Sequence, residues 1–127
     1  MYAETDFILA LVKESDWLKN NAESIYEKYN DEIWGSQILL QELMLYSYKN
    51  KLDTVTIIEE TVNLIKIKNI SINYEYIIAS SHIMSNYKAS PFDSMHAVIA
   101  RQDGVIISSD SVYDKIGLKR IKLEEKI

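Results

Sequence analysis

The chain has no cysteine, one proline, three glycines and no long apolar run. Without thiols there is no disulfide scaffold and no thiolate metal site, and the composition suits a reducing compartment. Glycine and proline are too few for a flexible linker, so one continuous domain over residues 1–127, without repeats, is expected. No stretch approaches the roughly 18 apolar residues that cross a bilayer, and no charged start runs into the apolar segment of a signal peptide. The expected setting is the cytoplasm, with no membrane partner. Basic residues are also scarce: 14 Lys and Arg stand against 19 Asp and Glu, for a formal net charge of −5. That balance counts against a broad basic footprint for nucleic acid. It leaves room for acids gathered at one site.

What is present is a chain 47% hydrophobic in which short apolar strands alternate with helical patterns. "MYAET" suits a first strand and "DFILALVK" a short helix. Ser15 can cap a second helix carrying Leu18, Ala22, Ile25 and Tyr29 on one face. "DEIWGS" reads as a brief strand over Glu32–Trp34 that ends at Gly35 and Ser36, with a strongly apolar helix to Asn50. Asp53 or Thr54 can cap the next helix, with Val55, Ile58, Val62 and Ile65 as its buried stripe. "KNISIN" alternates as a strand should. Tyr76, Ala79, Ile83 and Tyr87 mark the apolar face of the helix after it.

"SPFDSMHAVIA" has the Ser-x-x-Asp capping pattern, with Pro91 at the first helical position and Asp93 at the third. "GVIIS" is a buried strand, followed by a short helix over Asp110–Ile116 and a last strand near Lys119–Lys122. The alternation argues for an α/β fold, a parallel sheet covered on both faces.

In such a sheet, chemistry collects beyond the carboxyl ends of the strands, where strand order reverses. Glu4 ends the first strand and Asp110 follows "VIIS"; Asp93 opens a helix, and Asp114 lies one turn beyond Asp110. Glu42 sits inside "ILLQELML". It belongs either to the wet stripe of an amphipathic helix or to the interior, where an unpaired carboxylate needs a cation or a proton. Each helix-opening acid also has a plain reading as a cap. Asp6 reads as the cap of the first helix rather than a direct ligand. Taken together, Glu4, Glu42, Asp93 and Asp110 come from four separate elements. Carboxylates converging without Lys or Arg repel one another, and a divalent cation reverses that. All-oxygen ligands favour Mg²⁺ or Mn²⁺ over Zn²⁺. The chemistry this points to is metal-assisted phosphodiester hydrolysis.

The same residues resemble the PIN domain family, particularly its small VapC-like toxins of prokaryotic toxin–antitoxin pairs. "AETDFILAL" matches the family's strand-end acid followed by Thr and a polar residue, with Glu4 where Asp is commoner. "SQILLQE", from Ser36 to Glu42, matches its Ser or Thr cap with a Glu six residues on. "SPFDSMHAVIA" matches the Asp that opens an Ala-rich helix, and "VIISSDSVYDKIGL" matches the strand running into a Ser/Thr-x-Asp step. The resemblance covers nearly the whole chain in order. It implies a three-layer α/β/α sandwich with four or five parallel strands, and a ribonuclease whose Mg²⁺ or Mn²⁺ is held by Glu4, Glu42, Asp93 and Asp110. Asp114 would join them directly or through water. It also implies an RNA substrate, a homodimer and a cognate antitoxin.

Around these ligands, His96 reads as a core or supporting histidine rather than a catalytic base. Ser36 and Ser108 read as supporting donors, or simply as capping and strand-end hydroxyls. His82 has no assigned role, and Trp17 and Trp34 read as packing residues, since no basic residues interleave with them. Lys13, Lys49, Lys88 and Arg101 are scattered candidates for phosphate contact. Two other classes fit less well: a PIN-like module that binds RNA or protein without cleaving, and a receiver-type phosphoacceptor, whose expected Lys after a late strand is not matched by Lys119.

Overall fold

Side chains alternate along each strand, and the two faces they serve organise the molecule. The computed structural model describes residues 1–127. Five strands, β1 (Tyr2–Ala3), β2 (Trp34–Ser36), β3 (Lys66–Lys68), β4 (Val105–Ser108) and β5 (Lys119–Lys122), form one parallel sheet in the order β3-β2-β1-β4-β5. The helices are α1 (Thr5–Val12), α2 (Lys19–Tyr29), α3 (Gln37–Asn50), α4 (Thr54–Leu64), α5 (Tyr74–Tyr87), α6 (Pro91–Ala100) and α7 (Val112–Lys115), with a 3₁₀ turn at Asn30–Glu32. No helix is long and apolar enough to cross a membrane.

Ala3, Ile33 and Ile107 point into one core, which α1 to α4 complete with Phe7, Ile25, Leu43 and Ile57. Tyr2, Trp34 and Ile106 point into the other, completed by Ile83, Ile99 and Tyr113 from α5, α6 and α7. The result is a three-layer α/β/α sandwich. The chain starts at the centre, moves out through β2 and β3, and returns on the far side of β1 with β4 and β5. Strand order therefore reverses between β1 and β4, which puts the crevice at their carboxyl ends.

Several elements depart from the sequence reading. The second strand is Trp34–Ser36 rather than Glu32–Trp34, so Gly35 lies within it. A Cβ at Gly35 would sit 2.6 Å from Leu39 Cδ2 and 3.0 Å from Ile65 Cδ1. Glycine is what lets α3 and the start of β3 close onto this strand. The third strand is Lys66–Lys68, and "KNISIN" beyond Lys68 is not a strand. There the Gln37 side chain takes over the pairing: its Nε2 donates to Ile70 O and its Oε1 accepts from Ile70 N at 2.8 Å. Ile70 and Ile72 turn onto the second core instead.

Ser15 caps nothing: α2 begins at Lys19, and Asp16 Oδ1 accepts from Leu18 N at 2.9 Å to close the preceding turn. Trp17, on that turn, is 80% exposed, whereas Trp34 is buried edge-on to Tyr2. In α4, Val55 and Val62 face solvent, and Ile57, Thr61 and Ile65 form the buried line. Thr61 fits there because its hydroxyl donates to Ile57 O at 2.7 Å. Tyr87, at the end of α5, is exposed.

Candidate active site

Glu4 follows β1 directly and takes the N-cap position of α1, yet its carboxylate makes no cap bond. It turns toward β4, where Ser108 Oγ donates to Glu4 Oε2 at 3.0 Å. The same Ser108 oxygen accepts from Asp110 N at 3.0 Å, so one hydroxyl ties the ends of two neighbouring strands. Asp6 is not the cap expected of it. Its Oδ2 accepts from Ser109 N at 2.9 Å and from the Ser109 hydroxyl, tethering the loop after β4 to the first turn of α1. Asp6 Oδ1 is buried with no hydrogen-bond partner.

Glu42 faces inward from the middle of α3. Its Oε1 accepts from Thr5 Oγ1 and from His96 Nε2 at 2.8 Å. Asp93 is the third residue of α6; Ser90 Oγ accepts from its backbone N–H at 3.2 Å, with Pro91 at the helix start. The cap belongs to Ser90, so the Asp93 carboxylate is free to turn toward the cluster, where Tyr113 donates to it at 3.3 Å. Asp110 lies at the exposed rim, with Oδ1 accepting from Val112 N at 2.9 Å.

Asp114 does not join these groups. Arg120 takes both of its oxygens, Nε to Oδ1 at 3.1 Å and Nη2 to Oδ2 at 3.0 Å. Ser36 does not touch the acids either, and it makes no side-chain cap for α3; its hydroxyl lies 3.0 Å from the Tyr2 hydroxyl.

Charge is the dominant feature. Burial pushes the Glu4 carboxyl well above the usual carboxylate range, and the neighbouring charges of Asp6, Glu42 and Asp93 push it further. Asp93 is raised too, by burial and then by Asp110 and Glu42. Burial acts the same way on Glu42, but the His96 and Thr5 hydrogen bonds outweigh it and hold that carboxyl below the usual range. Burial first, then the Glu4 and Asp93 charges, drive the Tyr113 phenol far up, so it remains a donor. No lysine or arginine forms an ion pair with Glu4, Asp6, Glu42, Asp93 or Asp110.

The tightest group of potential ligand atoms comes from Glu4, Glu42 and His96, all within 4.8 Å of one another. A buried carboxylate without a cation, and the orphaned Asp6 oxygen beside it, fit a hard divalent ion better than the free protein. A cleft of about 290 Å³ opens over Glu4, Asp6 and Glu42 and runs along α3 to Tyr46 and Lys49. Of the scattered cations, Lys49 is thus at the site, whereas Lys13 is held by Asp16 and the Tyr46 hydroxyl.

Four contributors were not singled out from the sequence: Tyr2, Thr5, Ser109 and Tyr113. Thr5 had a signal, its place directly after the strand-end acid. Tyr2 and Tyr113 carry no local signal, because their hydroxyls acquire partners only through the fold.

No curated protein matches the chain. Among solved structures, it is similar to VapC20 of Mycobacterium tuberculosis, a sarcin–ricin loop cleaving toxin, with a TM-score of 0.74 at 12% identity over 92% of this chain and 95% of that one. A DNA-bound VapBC complex from Salmonella typhimurium gives 0.71 at 14% identity, over 96% of each chain. A toxin–antitoxin complex from Klebsiella pneumoniae gives 0.70 at 16% identity, over 99% of this chain and 98% of that one. Likeness at such identities speaks for the fold alone. The PIN domain family model, however, matches residues 1–119 directly. With the five-stranded parallel sheet and the acids gathered at its switch point, the match shows that this chain belongs to the PIN domain family.

Proposed function

We propose that the protein is a Mg²⁺- or Mn²⁺-dependent endoribonuclease and the toxin of a toxin–antitoxin pair. The observation that carries this reading is the mutual crowding of the carboxyls of Glu4, Glu42 and Asp93, none of which is ion-paired with a lysine or arginine. In this reading, Glu4, Glu42, Asp93 and Asp110 hold the ion. The ion, when bound, supplies activation of water and neutralisation of charge at the phosphate. Ser108 orients Glu4, and Thr5 and His96 orient Glu42. Asp6 holds the loop that presents Asp110, through Ser109. Asp114 stands outside the ligand set because Arg120 already neutralises it.

The cleft along α3 suits single-stranded RNA: the Lys49 ammonium can meet a phosphate one or two turns from the acids. Cytoplasmic residence, a homodimer and a cognate antitoxin belong to the same reading. The antitoxin is supported by the toxin–antitoxin assemblies among the structural neighbours.

The test is incubation of the purified protein with single-stranded RNA and either Mn²⁺ or Mg²⁺. Endonucleolytic fragments that vanish with EDTA are expected. Intact RNA with both metals, from protein of normal fold, overturns the nuclease reading and leaves an RNA- or protein-binding module. Suppression of cleavage on co-expression with the product of an adjacent small gene tests the toxin assignment.

A further inference from the structure

We propose that Tyr2 and His96 are positioning residues: hydrogen bonds running from Ser36 through Tyr2 to His96 hold the imidazole Nε2–H against Glu42 and fix that carboxylate beside Glu4. The inference rests on Glu42 serving the proposed metal site. It concerns side chains that make no part of the ligand set.

The three links are Ser36 Oγ to Tyr2 Oη at 3.0 Å, Tyr2 Oη to His96 Nδ1 at 2.6 Å, and His96 Nε2 to Glu42 Oε1 at 2.8 Å. Ser36, Tyr2 and His96 are all fully buried. The direction of each bond follows from what each group can do. A carboxylate oxygen only accepts, so an unprotonated Nε2 at that distance would set one lone pair against another. Nε2 therefore carries the proton. In the neutral ring Nδ1 must then accept, and the Tyr2 hydroxyl is its donor. Tyr2 has spent its proton on the ring, so Ser36 donates to the phenol oxygen. Burial holds the Tyr2 phenol far above its ordinary range, which keeps that proton in place.

The consequence falls on Glu42. A glutamate on the inner face of a helix has several rotatable bonds and must be held for a metal to find it in place. Both donors, His96 and Thr5, go to Oε1, and no protein donor reaches Oε2. Tyr2 is itself held, its ring edge-on to Trp34 with centroids 5.0 Å apart. Tyr2 lies two residues before Glu4, so β1 and its immediate continuation deliver one ligand and anchor another.

The experiment reads the imidazole nitrogens of the metal-free protein by ¹⁵N NMR, together with Mn²⁺ affinity by calorimetry. His82 is the only other histidine and is exposed, so it serves as an internal reference. Wild type is expected to show His96 as the Nε2–H tautomer. Tyr2→Phe leaves Nδ1 without its donor while Glu42 still requires the proton on Nε2; the Nδ1 resonance is expected to move toward that of an unbonded ring nitrogen, with a loss of about tenfold or more in Mn²⁺ affinity. If Tyr2→Phe fails to fold, Ser36→Ala removes only the far link. It should keep the tautomer yet weaken Mn²⁺ binding about two- to threefold, a lesser fall than the tenfold range for a direct support. A wild-type His96 protonated at Nδ1 overturns the proposal, since Nε2 would then offer a lone pair to the cluster. So does unchanged Mn²⁺ affinity in whichever variant folds. Wild-type protein that takes up no Mn²⁺ overturns the metal reading instead, and the tautomer then decides the hydrogen-bond chain by itself.

Discussion

Two groups of acids flank Ser108, and they are treated in opposite ways. On one side Ser108 Oγ donates to Glu4; on the other its carbonyl accepts from Arg120 Nη1 at 3.0 Å. The Arg120 guanidinium also holds Asp114 and Glu124, the latter at 2.7 Å. Its hydrogen bonds keep Asp114 below the usual carboxylate range, and they hold Glu124 down against burial. Glu4 and Asp93 move the other way, because burial and mutual repulsion act with no cation to answer them. The same residue type thus serves cohesion in one place and charge crowding in the other. A carboxylate with its own guanidinium has little need of a metal; one without a cation has every reason to recruit it.

The comparison can be broken most sharply at Asp93. Asp93→Asn should lower RNA cleavage by a hundredfold or more, about 2.7 kcal/mol of barrier or above. The melting temperature in EDTA should stay level or rise slightly, since one repelling charge is gone and the Ser90 cap is untouched. Cleavage intact beside a large loss of stability would make Asp93 structural.

The next effect is on stability alone. Arg120→Met leaves the Ser108 carbonyl and two carboxylates without their donor, and a loss of about 1–3 kcal/mol is expected in urea unfolding. A variant as stable as wild type would show that the Arg120 network is decoration.

A smaller effect, of opposite sign in the two groups, is expected with pH. Glu4 binds its proton more tightly folded than unfolded. Its contribution to stability is complete below the ordinary value of 4.5 and is lost as pH rises through the elevated one. Asp114 and Glu124 behave conversely: their contribution is complete above the ordinary values and is lost as pH falls through the lowered ones. Melting temperatures of metal-free protein should therefore decline on both sides of a maximum. Glu4→Gln should diminish the alkaline limb, which Asp93 shares, and Arg120→Met the acidic one, which Glu42 shares. An alkaline limb undiminished in Glu4→Gln assigns it elsewhere.

Smallest of all is Asp114→Asn, expected to change cleavage by no more than about twofold, in the range of an exposed charge. A collapse of activity at unchanged stability would return Asp114 to the ligands.

Much of this arrangement is legible in the chain. "VIIS" and "SPFDSMH" announce a buried strand and a capped helix because their signals are local: β-branched residues after glycine, and Ser-Pro ahead of an apolar run. Glu4, Asp93 and Asp110 stand at element ends for the same reason. The failures are non-local. Helical spacing put Asp114 on the face of Asp110 but said nothing of Arg120, which reaches it from β5. Nothing local marks Tyr2, because its partner His96 lies 94 residues away. The apolar pattern of "KNISIN" was real, yet Gln37 supplies the pairing that a strand would have made. Val55 and Val62 show that valine spacing alone does not choose the buried side of a helix.

The two outermost strands have a consequence of their own. An open parallel sheet leaves two rims of unsatisfied backbone, each able to template a foreign strand. Here one rim is "KIK" and the other "KRIK", both only a few residues long. Rim-to-rim stacking of two copies would bring lysine-bearing strands together, with Lys66 exposed on one rim and Lys119 on the other. Growth of the sheet across molecules is thereby discouraged, and any pairing of copies is left to the helical surfaces.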